Sequence, residues 1–264
     1  MNCVAAVTGG SSGIGLATVR ELVRRGCTVY ELSRHDGSGE QGVRHLRCDV
    51  SDGDAFRQAL EQIFAQEGRL DILVNNAGFG ISGAAEFTPN EDAKRLLDVN
   101  LFGTVNGCKA AIPLMRRQGG GRIVNLSSVA APCAIPFQSW YSVSKSAVST
   151  YSAALSNEVR PFGISVTCVL PGDIRTGFTA AREKNPAGDE VYGGRIAKSV
   201  AVMEHDEQTG MDPAAAGRRI ADVALKRRVK PEYSIGFKYQ FFVILARILP
   251  CGLKNRIIGM MYGG

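Results

Sequence analysis

An apolar run at Cys3–Thr8 leads straight into Thr8-Gly9-Gly10-Ser11-Ser12-Gly13-Ile14-Gly15, and helix-period residues follow at 13–25. This junction constrains the fold more than any other stretch. A buried strand must turn sharply and become a helix within a few residues. Glycines allow the tight turn and let backbone N–H groups approach a ligand closely. The amino terminus of the following helix carries partial positive charge, so the site suits an anion. Strand, glycine spacing and helix agree, and the segment reads as a phosphate cradle for a dinucleotide.

The rest of the chain repeats the alternation. Apolar runs at Cys3–Thr8, 28–33, 44–48, 70–75, 121–127, 164–170 and 232–235 are separated by helical patterns near 13–25, 52–67, 90–118, 140–160 and 212–228. Near-continuous apolar runs indicate strands covered on both faces. Strands alternating with helices predict an α/β fold: a single-domain, Rossmann-type, doubly wound parallel sheet of about seven strands with helices on both faces. Right-handed crossovers place the ligand beyond the carboxyl ends of the strands. No repeat or linker divides residues 1–264, which read as one dinucleotide-binding and catalytic domain. Two stretches depart from the pattern. Residues 177–211 are polar and turn-rich, and such an insertion is expected to be a substrate lid. Residues 237–264 form an apolar carboxyl-terminal extension, too short and interrupted to span a bilayer.

Composition narrows the class. Net charge is +6, but the basic residues are scattered rather than gathered on one motif with aromatics between them, so nucleic acid is not an expected partner. Seven cysteines and three histidines show no metal-ligand spacing, and no metal is expected. Cysteines inside apolar runs suit a reducing, cytoplasmic setting. The chain opens directly on a strand pattern, so no signal peptide is expected ahead of the fold.

A second segment supplies chemistry. Tyr141-Ser142-Val143-Ser144-Lys145 places a phenol and an amine at i and i+4, on one face of a predicted helix. A free tyrosine has a pKa of about 10 and is a sluggish acid or base near neutrality. A neighbouring ammonium favours phenolate and is expected to lower that value. Alone, Tyr-x-x-x-Lys is mostly a solvated helix face. With the cradle upstream it becomes an acid/base pair for hydride transfer.

The combination resembles the short-chain dehydrogenases/reductases. The cradle has that family's T-G-x-x-x-G-x-G spacing, and further matches follow in order: Asn75-Asn76-Ala77-Gly78, Asn100 in Asp98-Val99-Asn100, Ser128 thirteen positions before Tyr141, Lys145 four after it, and Pro171-Gly172 with Thr176 behind. The resemblance covers essentially the whole chain. It implies that Thr8, Gly9, Ser11, Ser12, Gly13, Ile14 and Gly15 hold the pyrophosphate, with Asn76, Ala77 and Gly78 beside them. Pro171 and Gly172 would turn the chain over the nicotinamide, and Ile174 and Thr176 would meet the carboxamide and pyrophosphate. Lys145 would bind the nicotinamide ribose as well as tune Tyr141. Ser128 would position the reacting oxygen. Asn100 would kink its helix and hold a water connecting Lys145 to solvent. By the family's spacing, Ser33 stands where an acidic residue selects NAD, and Arg34 follows it. Arginine there suits the extra phosphate of NADP, so NADP(H) is expected over NAD(H). Asp49, with Val50 beside it, resembles the family's adenine-contacting aspartate, or else caps the helix that follows.

The run from Val129 to Gln138 is mostly apolar and carries no cation to clamp a carboxylate or phosphate. Cys133, Phe137, Gln138 and Phe178 are the candidate substrate contacts. The expected substrate is a lipophilic ketone or secondary alcohol, such as a hydroxysteroid, bile acid, retinoid or fatty carbonyl. The segments 135–138 and 171–176 look like those of hydroxysteroid- and retinol-dehydrogenase-like members. A non-catalytic nucleotide sensor or scaffold on the same fold is the alternative, and the retained serine, tyrosine and lysine argue against it. The family's usual assembly implies a homodimer or homotetramer through the helices near 90–118 and 140–160. The tail either closes the pocket or packs on a partner subunit, or it makes weak peripheral contact with a membrane surface.

Overall fold

The computed structural model describes residues 3–263. The strands are β1 (Cys3–Thr8), β2 (Cys27–Ser33), β3 (Val43–Arg47), β4 (Ile72–Asn75), β5 (Ile81–Ser82), β6 (Gly121–Leu126), β7 (Ile164–Pro171), β8 (Glu183–Lys184) and β9 (Glu232–Ile235). The helices are α1 (Gly13–Arg24), α2 (Gly53–Glu67), α3 (Asn90–Leu97), α4 (Gly103–Arg117), α5 (Ser139–Val159), α6 (Phe178–Ala181), α7 (Arg195–Gln208), α8 (Pro213–Leu225), α9 (Phe237–Ile248) and α10 (Cys251–Tyr262). Seven strands form one parallel sheet in the order β3-β2-β1-β4-β6-β7-β9. The chain begins in the middle and winds outward in both directions. The switch between β1 and β4 therefore opens a crevice at the carboxyl edge.

Successive strand residues point to opposite faces, so a fully apolar strand feeds two cores. Val4 and Ala6 pack with Phe56, Leu60 and Ile63 of α2, and with Cys108 and Leu114 of α4. Ala5 and Val7 pack with Val19 and Leu22 of α1, and with Ile220 and Ala221 of α8. This two-sided burial is the reason the strands carry no polar alternation. Asp52 starts α2 by accepting from the N–H groups of Asp54 and Ala55, each at 3.0 Å. Its left-handed end falls on Gly68 (φ 72°).

Three regions differ from the sequence expectation. The single helix expected over 90–118 is broken by a π-helical turn at Asp98–Phe102, between α3 and α4. Residues 177–211 are not an irregular insertion. They contain α6, α7 and β8, which pairs in parallel with β5 from outside the segment. The base of this segment is tied to the loop after β7, where Met211 N–H donates to Asp173 O at 2.9 Å and Arg175 N–H donates to Met211 O at 3.0 Å. The apolar tail is two helices. Leu249 stands in extended conformation before Pro250 and separates α9 from α10, as a residue preceding proline prefers. Among the described residues, no helix is long and apolar enough to cross a membrane.

Candidate active site

The carboxyl ends of β1, β4, β6 and β7 converge on one cavity of about 330 Å³. The cradle forms one wall. Gly13 has φ 53°, a backbone shape that side chains disfavour. A Cβ at Gly15 would overlap the Gly9 carbonyl oxygen and stand 2.6 Å from Asn76 Nδ2. Thr8, 1% exposed, pins the next strand to this loop: its Oγ1 accepts from Asn76 N–H at 2.9 Å and Ala77 N–H at 3.0 Å. Asn76 Nδ2 donates back to Thr8 O at 3.0 Å. Ser12 is the amino-terminal cap of α1 but makes no side-chain cap, and the first turn holds no acidic residue. The first-turn N–H groups therefore face the cavity without a carboxylate competing for them. Gly9, Ser12, Gly13, Ile14, Asn76, Ala77 and Gly78 line the cavity, whereas Thr8, Ser11 and Gly15 do not. This arrangement fits a pyrophosphate.

The end of β2 is brought beside the cradle by Gly9 N–H, which donates to Leu32 O at 2.8 Å. Ser33 is half-buried and its hydroxyl donates to His35 O at 3.3 Å; Arg34 is exposed. Glu31, 1% exposed, is turned away and accepts from Ser38 N–H. Asp49 accepts from Ser51 N–H at 3.0 Å and Ser51 Oγ at 2.7 Å. Burial opposes its ionisation, but the Ser51 bonds and the Arg34 charge hold its carboxyl below the ordinary value. Val50 packs under Gly103 at the start of α4. Ser33, Arg34, Asp49 and Val50 lie outside the central cavity.

At the other end of the cavity stand Ser128, Gln138, Tyr141 and Lys145. Helix α5 carries the tyrosine and lysine and is docked on β6 by buried polar contacts. Asn125 Nδ2 donates to Ser152 Oγ at 2.9 Å, and Ser127 Oγ donates to Lys145 O at 2.7 Å. Lys145 is 5% exposed; its Nζ donates to Leu126 O at 3.0 Å and lies 5.7 Å from the centre of the Tyr141 ring. Burial lowers its pKa to about 8.

The expected lowering of the tyrosine pKa by Lys145 is not what the chain's own groups produce. Burial pushes the Tyr141 phenol up to about 12, the Ser128 hydroxyl draws it down, Glu207 raises it and Arg182 lowers it. The physical reason is desolvation: a phenolate loses water here, and the same burial discourages charge on the lysine. Tyr141 is therefore a neutral phenol across the physiological range. It is poised to donate a proton, with Ser128 as a second hydroxyl at the same place.

Asn100 is fully buried in the π-helical turn. Its amide accepts from Phe79 N–H at 3.0 Å and donates to Phe79 O at 2.9 Å. It also donates to Ser144 Oγ at 3.1 Å, and Ser144 Oγ donates to Tyr141 O at 2.7 Å. Asn100 thus reaches the catalytic helix through Ser144 rather than by a direct bond to Lys145.

Pro171, Gly172, Ile174 and Thr176 form the roof, with Phe178 tilted against the Tyr141 ring at 5.7 Å between centroids. Gln138 is 4% exposed and lines the cavity. Two residues expected there are placed elsewhere. Phe137 has φ 59° and packs edge-on against Tyr192 at 5.5 Å, so its ring leaves the cavity. Cys133 faces a separate cavity against the tail. The structure also adds residues the sequence pattern did not single out. Asp173, Met203, Glu207 and Tyr262 line the catalytic cavity. Glu207 accepts from Thr179 Oγ1 at 2.6 Å and pairs with the fully buried side chain of Arg182. Met203 and Glu207 come from 177–211 and Tyr262 from the tail, where no local motif marks them, whereas Asp173 sits in the loop after β7.

The fold and this constellation define a nicotinamide-dependent oxidoreductase. A family model described as short chain dehydrogenase matches residues 3–187. The 3-ketodihydrosphingosine reductase of Bacteroides thetaiotaomicron is 41% identical over 84% of this chain and 83% of its own. A probable short-chain type dehydrogenase/reductase of Helicobacter pylori is 33% identical over 99% of this chain and 98% of its own. The crystal structure of a short-chain dehydrogenase from Streptomyces avermitilis superposes with a TM-score of 0.81 at 30% identity, covering 92% of this chain and 91% of that one. The chain belongs to the short-chain dehydrogenase/reductase family. Solved structures of this fold include complexes with NADP and with NAD.

Proposed function

We propose that the protein is an NADP(H)-dependent reductase of a lipophilic ketone, working through Ser128, Tyr141 and Lys145. The observation that carries this reading is the half-buried phenol of Tyr141 beside Ser128 in one cavity with the phosphate cradle. A nicotinamide held by the cradle would supply the hydride for the carbonyl carbon. Ser128 and Tyr141 hydrogen-bond the carbonyl oxygen and polarise it, where negative charge develops. Tyr141 then gives its proton to that oxygen, and a secondary alcohol leaves. Lys145, with Nζ 5.7 Å from the centre of the Tyr141 ring, would hold the cofactor ribose, and Asn100 holds the start of α5 in register through Ser144. In the reverse direction the Tyr141 phenolate is the base.

The Ser33-Arg34 pair at the end of β2 supports NADP(H), since an exposed guanidinium there can pair with a 2′-phosphate. The relative from Bacteroides supports a long-chain ketone as substrate. Residues 177–211 roof the cavity and would act as its lid. Exposed Phe102 and Val143 at the outer faces of the π-helical turn and α5 support a homo-oligomer through those elements. The tail exposes Phe237, Phe241, Ile244 and Ile248 and holds four basic and no acidic residues among 237–264, which supports peripheral contact with an anionic membrane surface from the cytoplasm.

Tyr141→Phe tests the central claim. It removes the proton and keeps the ring, so cofactor affinity should persist while kcat for ketone reduction falls about 10²–10⁴-fold. NADPH consumption with a panel of lipid ketones reads both. Turnover within a few-fold of the wild type would refute the proton-donor role.

A further inference from the structure

The tail does more than extend the fold. Helices α9 and α10 enclose a second cavity of about 280 Å³, with walls of Phe242, Leu245, Ala246, Leu249, Ile257 and Ile258. Val129, Ile135, Asp173 and Tyr262 line both this cavity and the catalytic one. The two spaces are therefore neighbours that share these four side chains. Most polar groups of the lining are engaged within the protein, and the exposed Lys238 ammonium stands 4.9 Å from the centre of the Tyr239 ring. Lys254 Nζ donates to Pro132 O at 3.1 Å, Tyr262 OH donates to Asp206 at 3.2 Å, and Tyr239 OH donates to Asp173. Cys133 faces the same space with its thiol pushed up by burial and therefore uncharged. A cavity whose walls are mostly aliphatic recognises hydrocarbon. The hairpin lies outside residues 3–187, the part that matches the family model.

We propose that the α9–α10 cavity is a binding subsite for the unbranched alkyl chain of the substrate, entered from the catalytic cavity past Tyr262. The proposal rests on the ketone-reductase reading and names the part of the substrate that the tail selects. The ketone lies against Ser128 and Tyr141, and the chain runs past Val129 and Ile135 into the hairpin. Burial of each additional methylene should raise kcat/KM about fourfold, the ratio that about 0.8 kcal/mol represents, until the cavity is filled. Longer chains should then bring no further gain.

The test uses the full chain with NADPH and a homologous series of straight-chain methyl ketones, alongside calorimetric binding of the corresponding secondary alcohols to the protein with bound NADP. Ala246→Trp fills the cavity from α9. Each protein is normalised to its own value on the shortest member, which removes any general loss. The wild type should show the rise and plateau in both measurements, and Ala246→Trp should flatten them. Ala246→Met, a smaller plug, serves if the tryptophan variant does not fold. Ketone turnover without any dependence on chain length, or the same dependence in the plugged variants, would overturn the subsite. Length-dependent alcohol binding with no ketone turnover would support the subsite and overturn the reductase reading instead.

Discussion

Replacing Lys145 by methionine should stabilise the ligand-free protein while removing its activity. Lys145 is 5% exposed and bonds one backbone carbonyl, that of Leu126. Burial moves its pKa from the ordinary 10.5 to about 8. At about 1.4 kcal/mol per pH unit, holding the proton at neutral pH costs roughly 3 kcal/mol of folding free energy. Methionine has a similar reach and no charge, so it recovers this cost. It also strips the Leu126 carbonyl of its donor, at about 1 kcal/mol. The net gain is about 2 kcal/mol at neutral pH, or about 6 °C in Tm for a chain of this size. The sign depends on pH. Below about 8 the lysine is charged in both folded and unfolded states, and the penalty is complete. Between about 8 and 10.5 the unfolded chain binds more protons than the folded one, so wild-type stability rises with pH across that window. Above it the methionine variant should be the weaker by about 1 kcal/mol. Urea unfolding of both proteins at neutral pH and at alkaline pH measures the crossing. A methionine variant less stable than the wild type at neutral pH, or a gap indifferent to pH, would refute the burial argument.

Two further substitutions probe the cofactor end. Gly15→Ala drives a Cβ into the Gly9 carbonyl and towards Asn76 Nδ2, so the cradle must open; cofactor affinity should fall at least tenfold by fluorescence titration, with the far-ultraviolet spectrum unchanged. Unaltered affinity would show that the loop does not touch the cofactor. Arg34→Ala removes an exposed guanidinium at the end of β2 and should weaken NADPH about tenfold or more, as loss of a charge-assisted bond implies. NADH should scarcely change, and equal losses for the two would reject the phosphate assignment.

The sequence by itself determined the sheet, the cradle and the catalytic helix. Each is written in a short stretch: a strand buried on both faces needs only an apolar run, a tight phosphate loop needs glycine at fixed steps, and a phenol and an amine one turn apart need only i and i+4. Tyr141 and Lys145 accordingly stand on one helix, and Gly9 and Gly13 on one loop. Tertiary structure decided everything that depends on what lies opposite. Burial sets the Tyr141 and Lys145 proton affinities, and part of the cover over Tyr141 comes from Phe178 of α6, well beyond the catalytic helix in sequence. The left-handed backbone at Phe137 and its contact with Tyr192 turn an expected pocket residue outward. Asp173, Glu207 and Tyr262 meet around one cavity although they are far apart in the chain. Local patterns report which face of a segment is apolar, but the partner that covers it is chosen only when the whole chain has folded.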